Sequence, residues 1–147
     1  MPPLYEIHPI IVHFAVALLL AGAFFKLLGA IRKNPALDQT SFWLLRMGCL
    51  AAVAAAGFGL LAEKTAPHVP AAWETLHDHK WLGISTALAS IALWIVEEIR
   101  YRHFKPWLVW VSYLLWLAVV ILIIATGNEG GELVYTHGMG VAAAPHL

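Results

Sequence analysis

The chain has 147 residues, 61% of them hydrophobic and only 12% charged, with nine basic residues balancing nine acidic ones and a mean hydropathy of +0.74. Such a composition belongs to a membrane protein, not to an ordinary soluble domain. Zero net charge excludes a basic nucleic-acid surface, no glycine-rich phosphate loop is present, and a lone Cys49 excludes an intramolecular disulfide and any CxxC or CxxCH motif for zinc or covalent haem.

Four apolar stretches, roughly 9–30, 42–62, 81–96 and 107–126, are long enough to cross a bilayer. Lipid offers no partner to free backbone amides, so each is expected to be an α-helix. The fold class is therefore all-α, an up-down-up-down four-helix bundle forming one domain, with a tail over 127–147.

The first span opens with "HPIIVHF", residues 8–14. It lacks the basic start and the cleavage pattern of a secretory signal, so it reads as a retained helix. Pro9 suits a first helical turn, which puts His8 near the N-cap and His13 about one and a half turns into the membrane. Five residues correspond to about 500° of helix, so the two rings do not share a face. An ionisable side chain within a span is a functional candidate by default, and His13 is the deeper of the two; the competing role is a neutral imidazole bonded across the bundle. Lys26 is expected to snorkel to the membrane surface.

In the second span Gly48, Ala52, Ala55, Ala56 and Gly59 recur at spacings of three and four, a surface for close helix packing. Prolines 67 and 70 interrupt the next connection, after which "AAWETLHDH" reads as a helical turn at the interface. On the third span His79 stands above Gly83, Thr86, Ala87 and Ser90 at helical spacing. Small residues beneath an imidazole leave a slot of the kind a flat macrocycle needs. His77 and His79, one residue apart from each other across Asp78 and with Glu74 nearby, offer a non-haem alternative. After the fourth span, Gly130 and Gly131 allow a sharp turn, Leu133, Val134 and Tyr135 form an apolar patch, and Gly138 frees the backbone beside His137. The tail can then fold back over the mouth of the bundle or rest on the headgroups. No internal repeat of solenoid type is evident, and the closing "VAAAPHL" reads as disordered.

Seven of the nine basic residues, Lys26, Arg32, Lys33, Arg46, Arg100, Arg102 and Lys105, flank the two short connections. The positive-inside rule then places both termini outside, in a multi-pass protein of the inner (plasma) membrane. Seven of the eight histidines, His103 being the exception, fall on the outer side.

The chain resembles the bacterial membrane proteins known as domain of unknown function 2231. The resemblance rests on "HPIIVHF" followed by "AVAL", on "HDHKWLG", and on "GGELVYTHGMGV", and covers nearly the whole sequence. It implies a four-helix membrane protein and carries attention to His8, Pro9, His13, His79, Gly130, Gly131, Tyr135, His137 and Gly138. Members found beside or fused to c-type cytochrome domains imply redox work. "FAVAL" replaces the family's usual phenylalanine-proline pair, and "TGNEGG" is more polar than usual before the glycines.

The expected function is electron transfer by a bound haem b with bis-histidine ligation near the outer face. His13 and His79 are the first choice of ligands, with His8 and His137 as a second pair or as supporting residues. Electrons would pass between the quinone pool or a larger respiratory complex and an external c-type cytochrome. A non-haem copper, zinc or iron site and a structural subunit of a membrane complex are the alternatives. No catalytic acid, base or nucleophile stands out, so an electron carrier is favoured over a stand-alone enzyme.

Overall fold

The structure, a computed structural model, describes residues 4–65, 69–103 and 105–139, with side chains from residue 7 onward. His68 and His146 lie outside the described residues, as does the closing "VAAAPHL". Four helices make up the fold: α1 (Leu4–Arg32), α2 (Pro35–Thr65), α3 (Trp73–Arg102, entered through a 3₁₀ turn at Pro70–Ala72) and α4 (Pro106–Tyr135). All four are long and apolar enough to cross a membrane.

Every helix is longer than its apolar stretch. α1 begins more than a turn before His8, so Pro9 lies inside it. "WETLHDH" is the first part of α3, not a separate interfacial turn. α4 continues through Gly127, Gly130 and Gly131 to Tyr135, so the expected turn at the glycines is absent. Glycine costs a helix only about 1 kcal/mol relative to alanine, an amount that packing easily offsets. The stop comes at Gly138, whose φ of 65° supplies the left-handed residue of a C-terminal cap; the Gly138 and Met139 amides donate back to the Val134 and Leu133 carbonyls. At the other end of the bundle α1 and α2 are joined tightly. Lys33 takes a positive φ, the Asn34 side chain accepts the Ala36 amide at 2.9 Å, and Pro35 opens α2, where a missing amide hydrogen is no loss.

α1 packs most extensively on α2, and α3 on α4; α2 meets α3 along a closed seam, whereas α1 and α4 scarcely touch. The helices thus form two antiparallel hairpins with α1 and α3 on one diagonal. Ala15, Leu19, Leu45, Ala52, Ala87, Leu93, Trp116, Val119 and Ile123 make the shared core. Large apolar side chains such as Phe14, Leu50, Leu114 and Ile124 cover the outside, as lipid-facing positions require.

The two hairpins are repeats of each other, which the linear sequence conceals. Moving 71 residues along the chain carries His8 onto His79, Pro35 onto Pro106, Ser41 onto Ser112 and Gly59 onto Gly130. The buried positions follow the same shift: Ala15 and Thr86, Leu19 and Ser90, Lys26 and Glu97, Leu45 and Trp116, and Ala52 and Ile123 are all interior. Side-chain volume is redistributed between the halves. Hairpin one places Gly22 and Leu45 where hairpin two places Leu93 and Trp116, and a Cβ on Gly22 would come within 2.7 Å of the Trp116 ring. Because α1 and α3 run in the same direction, the relation is an approximate twofold along the bundle axis, the parallel type of internal repeat found in membrane proteins.

Candidate functional site

Each hairpin seats one imidazole in the same way. His8 Nδ1–H donates to the Ala55 carbonyl oxygen of α2 at 3.0 Å, and His79 Nδ1–H donates to the Thr126 carbonyl oxygen of α4 at 3.0 Å. A carbonyl only accepts, so these bonds place a proton on Nδ1 in both rings, and in the neutral form of each ring Nε2 keeps its lone pair. The seats also match. A Cβ on Gly59 would lie 3.0 Å from His8 Cε1, and one on Gly130 would lie 3.0 Å from His79 Cε1. Glycine is needed at both positions because each ring lies directly on its neighbour's backbone.

The twofold brings these two half-sites together. The ring centroids of His8 and His79 are 6.2 Å apart, with the ring planes at 84°. Two neutral imidazoles from diagonal helices, each fixed by a main-chain acceptor, form the arrangement that metal-ligating histidines adopt. With metal–nitrogen bonds of about 2.0–2.1 Å and about 1.2 Å from nitrogen to ring centre, two imidazoles on opposite sides of one ion would have centroids about 6.4 Å apart, against about 5.2 Å at a tetrahedral angle. The observed 6.2 Å is close to the first of these values, with the rings meeting at 84°. Among the described residues no group of three His, Cys, Asp or Glu side chains converges to hold an ion. A closed structural zinc site, which takes four protein ligands, therefore lacks its donors; two histidines suffice where a macrocycle fills the remaining positions.

The other candidates fall elsewhere. His13 is on the exposed surface of α1, its Nδ1–H donating to the Pro9 carbonyl at 2.6 Å, so the partner of His79 is His8 and not His13. His137 stands at the end of α4, where its Nε2 is 3.8 Å from Glu132. Tyr135 is exposed. Gly138 ends the helix, and a Cβ on Gly131 would meet only Tyr135 of its own helix, at an ordinary 4.0 Å. Gly83 would place a Cβ at an ordinary 3.9 Å from the Thr126 methyl, so the space beneath His79 is not tight there. His77 packs edge-on against Trp81.

At the opposite end lies a buried ionic cluster. Lys26 does not snorkel: it is 4% exposed, with its Nζ 2.7 Å from Glu97 and 2.9 Å from Asp38. Arg100 completes a ring of alternating charges, reaching Asp38 at 2.6 Å and Glu97 at 2.7 Å. Ser112 and the Trp116 indole N–H also donate to Glu97, and the Tyr101 hydroxyl to Asp38. All four helices contribute. Two cations and two anions with every carboxylate oxygen bonded make a neutral, saturated knot, a rigid tie between the hairpins and not an open reactive centre.

Sequence reasoning placed Ala55 and Gly59 only in a packing stripe and did not single out Glu97 or Thr126. The signal that finds them is the shift itself: the separation of His8 from its carbonyl acceptor, 47 residues, is repeated by His79 and its own.

No curated protein and no solved structure matches the chain. A family model does, over residues 5–143, nearly the whole length. With four helices able to span a membrane and the match running over nearly all of them, the chain belongs to the family described as predicted membrane protein, DUF2231.

Proposed function

We propose that the histidine end of the bundle binds haem b through His8 and His79 and that the protein transfers electrons. The observation that carries this reading is the close pair of imidazoles from diagonal helices, 6.2 Å apart between centroids, each with Nδ1 bonded to a main-chain carbonyl. A bound haem supplies a one-electron couple at its iron. The residues of this chain supply the rest. The Ala55 and Thr126 carbonyls hold both tautomers and so set ligand basicity, Gly59 and Gly130 fix the ring positions, and the apolar core beneath keeps water away. His8 and His79 would be the residues that hold the group, and ligation by both would suit electron transfer and not substrate activation. The Lys and Arg residues gathered at the other end of the bundle favour an outward-facing histidine end, so an external carrier such as a c-type cytochrome is the natural partner, with the quinone pool or a larger respiratory complex on the membrane side.

Purification in mild detergent from haem-replete cells tests this. Wild-type protein is expected to show a Soret band that sharpens and shifts on dithionite reduction. His8→Ala and His79→Ala are each expected to lose it, and His13→Ala to retain it. A colourless wild type, or an unchanged spectrum in both the His8 and His79 variants, overturns the reading; a colourless protein carrying stoichiometric copper, zinc or iron by elemental analysis replaces it with a non-haem metal site.

A further inference from the structure

His13 has no part in the histidine pair. It lies on the side of α1 that faces away from the bundle, with Ile10, Phe14 and Ala17 exposed around it. The span starts at Ile7, which puts His13 about 9 Å along it, where an ionisable side chain turned towards lipid is costly and marks a functional position. The fold does not require it: the equivalent residue of hairpin two is Ile84, so an apolar side chain serves in the repeat. The ring is also directional. Its Nδ1–H donates to the Pro9 carbonyl at 2.6 Å, and among the described residues it forms no other hydrogen bond. In the neutral ring Nε2 is then an acceptor only. The ester and phosphate oxygens of lipids only accept as well and cannot satisfy it. What fits is a hydroxyl donor on an apolar body that enters between the acyl chains, beside the exposed Phe14 ring and the single methyl of Ala17, one turn deeper.

We propose that His13 binds a lipid-soluble hydroquinone, its Nε2 accepting a hydrogen bond from a quinol hydroxyl beside Phe14. The inference rests on the haem reading above and gives its membrane-side partner a residue. His13 and His8 share α1 five residues apart, about 7.5 Å along the helix, so a quinol held at the lipid surface of α1 lies within one and a half turns of a ring of the histidine pair. The tautomer sets a preference between the two redox forms: a quinone has only acceptor oxygens and offers nothing to the Nε2 lone pair.

His13→Ile, the residue of the repeat, and His13→Gln provide the test. Both changes are on the exposed side of α1, so both variants are expected to fold as wild type does, which circular dichroism and thermal unfolding verify. Binding is read without haem, by NMR of protein with ¹⁵N-labelled histidine in lipid nanodiscs. One imidazole nitrogen signal, identified by its loss in His13→Ile, is expected to move on titration with decylubiquinol and to stay in place with decylubiquinone. No movement with the quinol, or equal movement with the quinone, overturns the proposal. In haem-loaded protein, His13→Ile is expected to keep the dithionite-reducible Soret band while reduction by decylubiquinol slows about tenfold, the effect of losing one hydrogen bond. His13→Gln, whose amide oxygen still accepts, is expected to keep most of the rate. A wild-type rate in folded His13→Ile also overturns the proposal. A haem-free wild type sinks the haem reading alone, since the nitrogen signal still decides whether His13 meets the quinol.

Discussion

Lys26 and Glu97 occupy one position of the two repeats and meet at 2.7 Å across the bundle. The same twofold that faces histidine with histidine at one end thus faces a cation with an anion at the other. Identical residues would repel there: a lysine against a lysine, or a glutamate against a glutamate. The exchange of sign breaks the symmetry and joins hairpin one to hairpin two in a way that two copies of either could not match.

Removing one member of this pair strands the other in an apolar interior. Lys26→Met is expected to destabilise the protein by about 3–5 kcal/mol, in the range for a broken buried ion pair. Adding Glu97→Gln to that variant is expected to cost less than the sum of the two single changes, because the second substitution removes the charge that the first left uncompensated. A double-mutant cycle by thermal or denaturant unfolding in detergent measures the coupling. Strict additivity would mean that Asp38 and Arg100 hold the cluster without the Lys26–Glu97 bond.

How far the site could be read from sequence follows from what kind of pattern encodes each part. Four spans come from apolar length alone, since burial of backbone amides in lipid leaves no other solution. His79 stands out in the sequence because an imidazole beside small residues is a local signal. Distance from the end of the apolar run points to His13 as the deeper ring, but that distance is not depth in the bundle: α1 starts earlier, at Leu4, and the helical phase turns His8 inward and His13 outward. The fate of Lys26 was illegible locally, since snorkelling or burial depends on whether Glu97, 71 residues away, lies opposite. Gly130 read as a turn because glycine pairs usually end helices, whereas here the ring of His79 occupies the space a Cβ would fill. Only the repeat, compared position by position, connects these residues.

The glycine seats give opposite signs for stability and ligand binding. Gly59→Ala and Gly130→Ala each place a methyl 3.0 Å from a histidine Cε1, so the ring must move by a few tenths of an ångström against its Nδ1 bond. Helix propensity meanwhile gains about 1 kcal/mol. Haem content is expected to fall while the melting temperature of the unliganded protein holds or rises. Parallel measurement of Soret absorbance and thermal unfolding checks the pair of effects, and unchanged haem content in both variants would show that the rings do not need these seats.

The Thr86 and Thr126 hydroxyls share a hydrogen bond at 3.1 Å, yet the equivalent residues in hairpin one are Ala15 and Ala55. The fold therefore accommodates alanine at both positions. Replacing both threonines by alanine is expected to cost about 0.6 kcal/mol and no more than about 1.7 kcal/mol, the average and the maximum for polar bonds between membrane helices. The His79 seat should survive, because its acceptor is the main-chain carbonyl of residue 126 and not the hydroxyl. Near-complete haem loss in a folded double variant would instead assign the hydroxyls a direct part in the site.

Gly48 and Gly57 lie less than three turns apart on α2 and predict opposite outcomes. A Cβ on Gly48 would stand 2.8 Å from the Leu19 side chain and 3.1 Å from the Leu19 main-chain nitrogen, whereas one on Gly57 meets nothing within 4 Å. Backbone cannot swing aside as a side chain can, so Gly48→Ala must push α1 away from α2 along their most extensive contact. Overpacking of this kind costs about 1–3 kcal/mol. Gly57→Ala carries only the helix-propensity gain of about 1 kcal/mol. Unfolding midpoints are expected to move down for the first variant and up for the second. Equal stabilisation of both would mean that α1 and α2 are not held in contact at Leu19 and Gly48, and with that the close approach that lets His8 reach the Ala55 carbonyl would lose its basis.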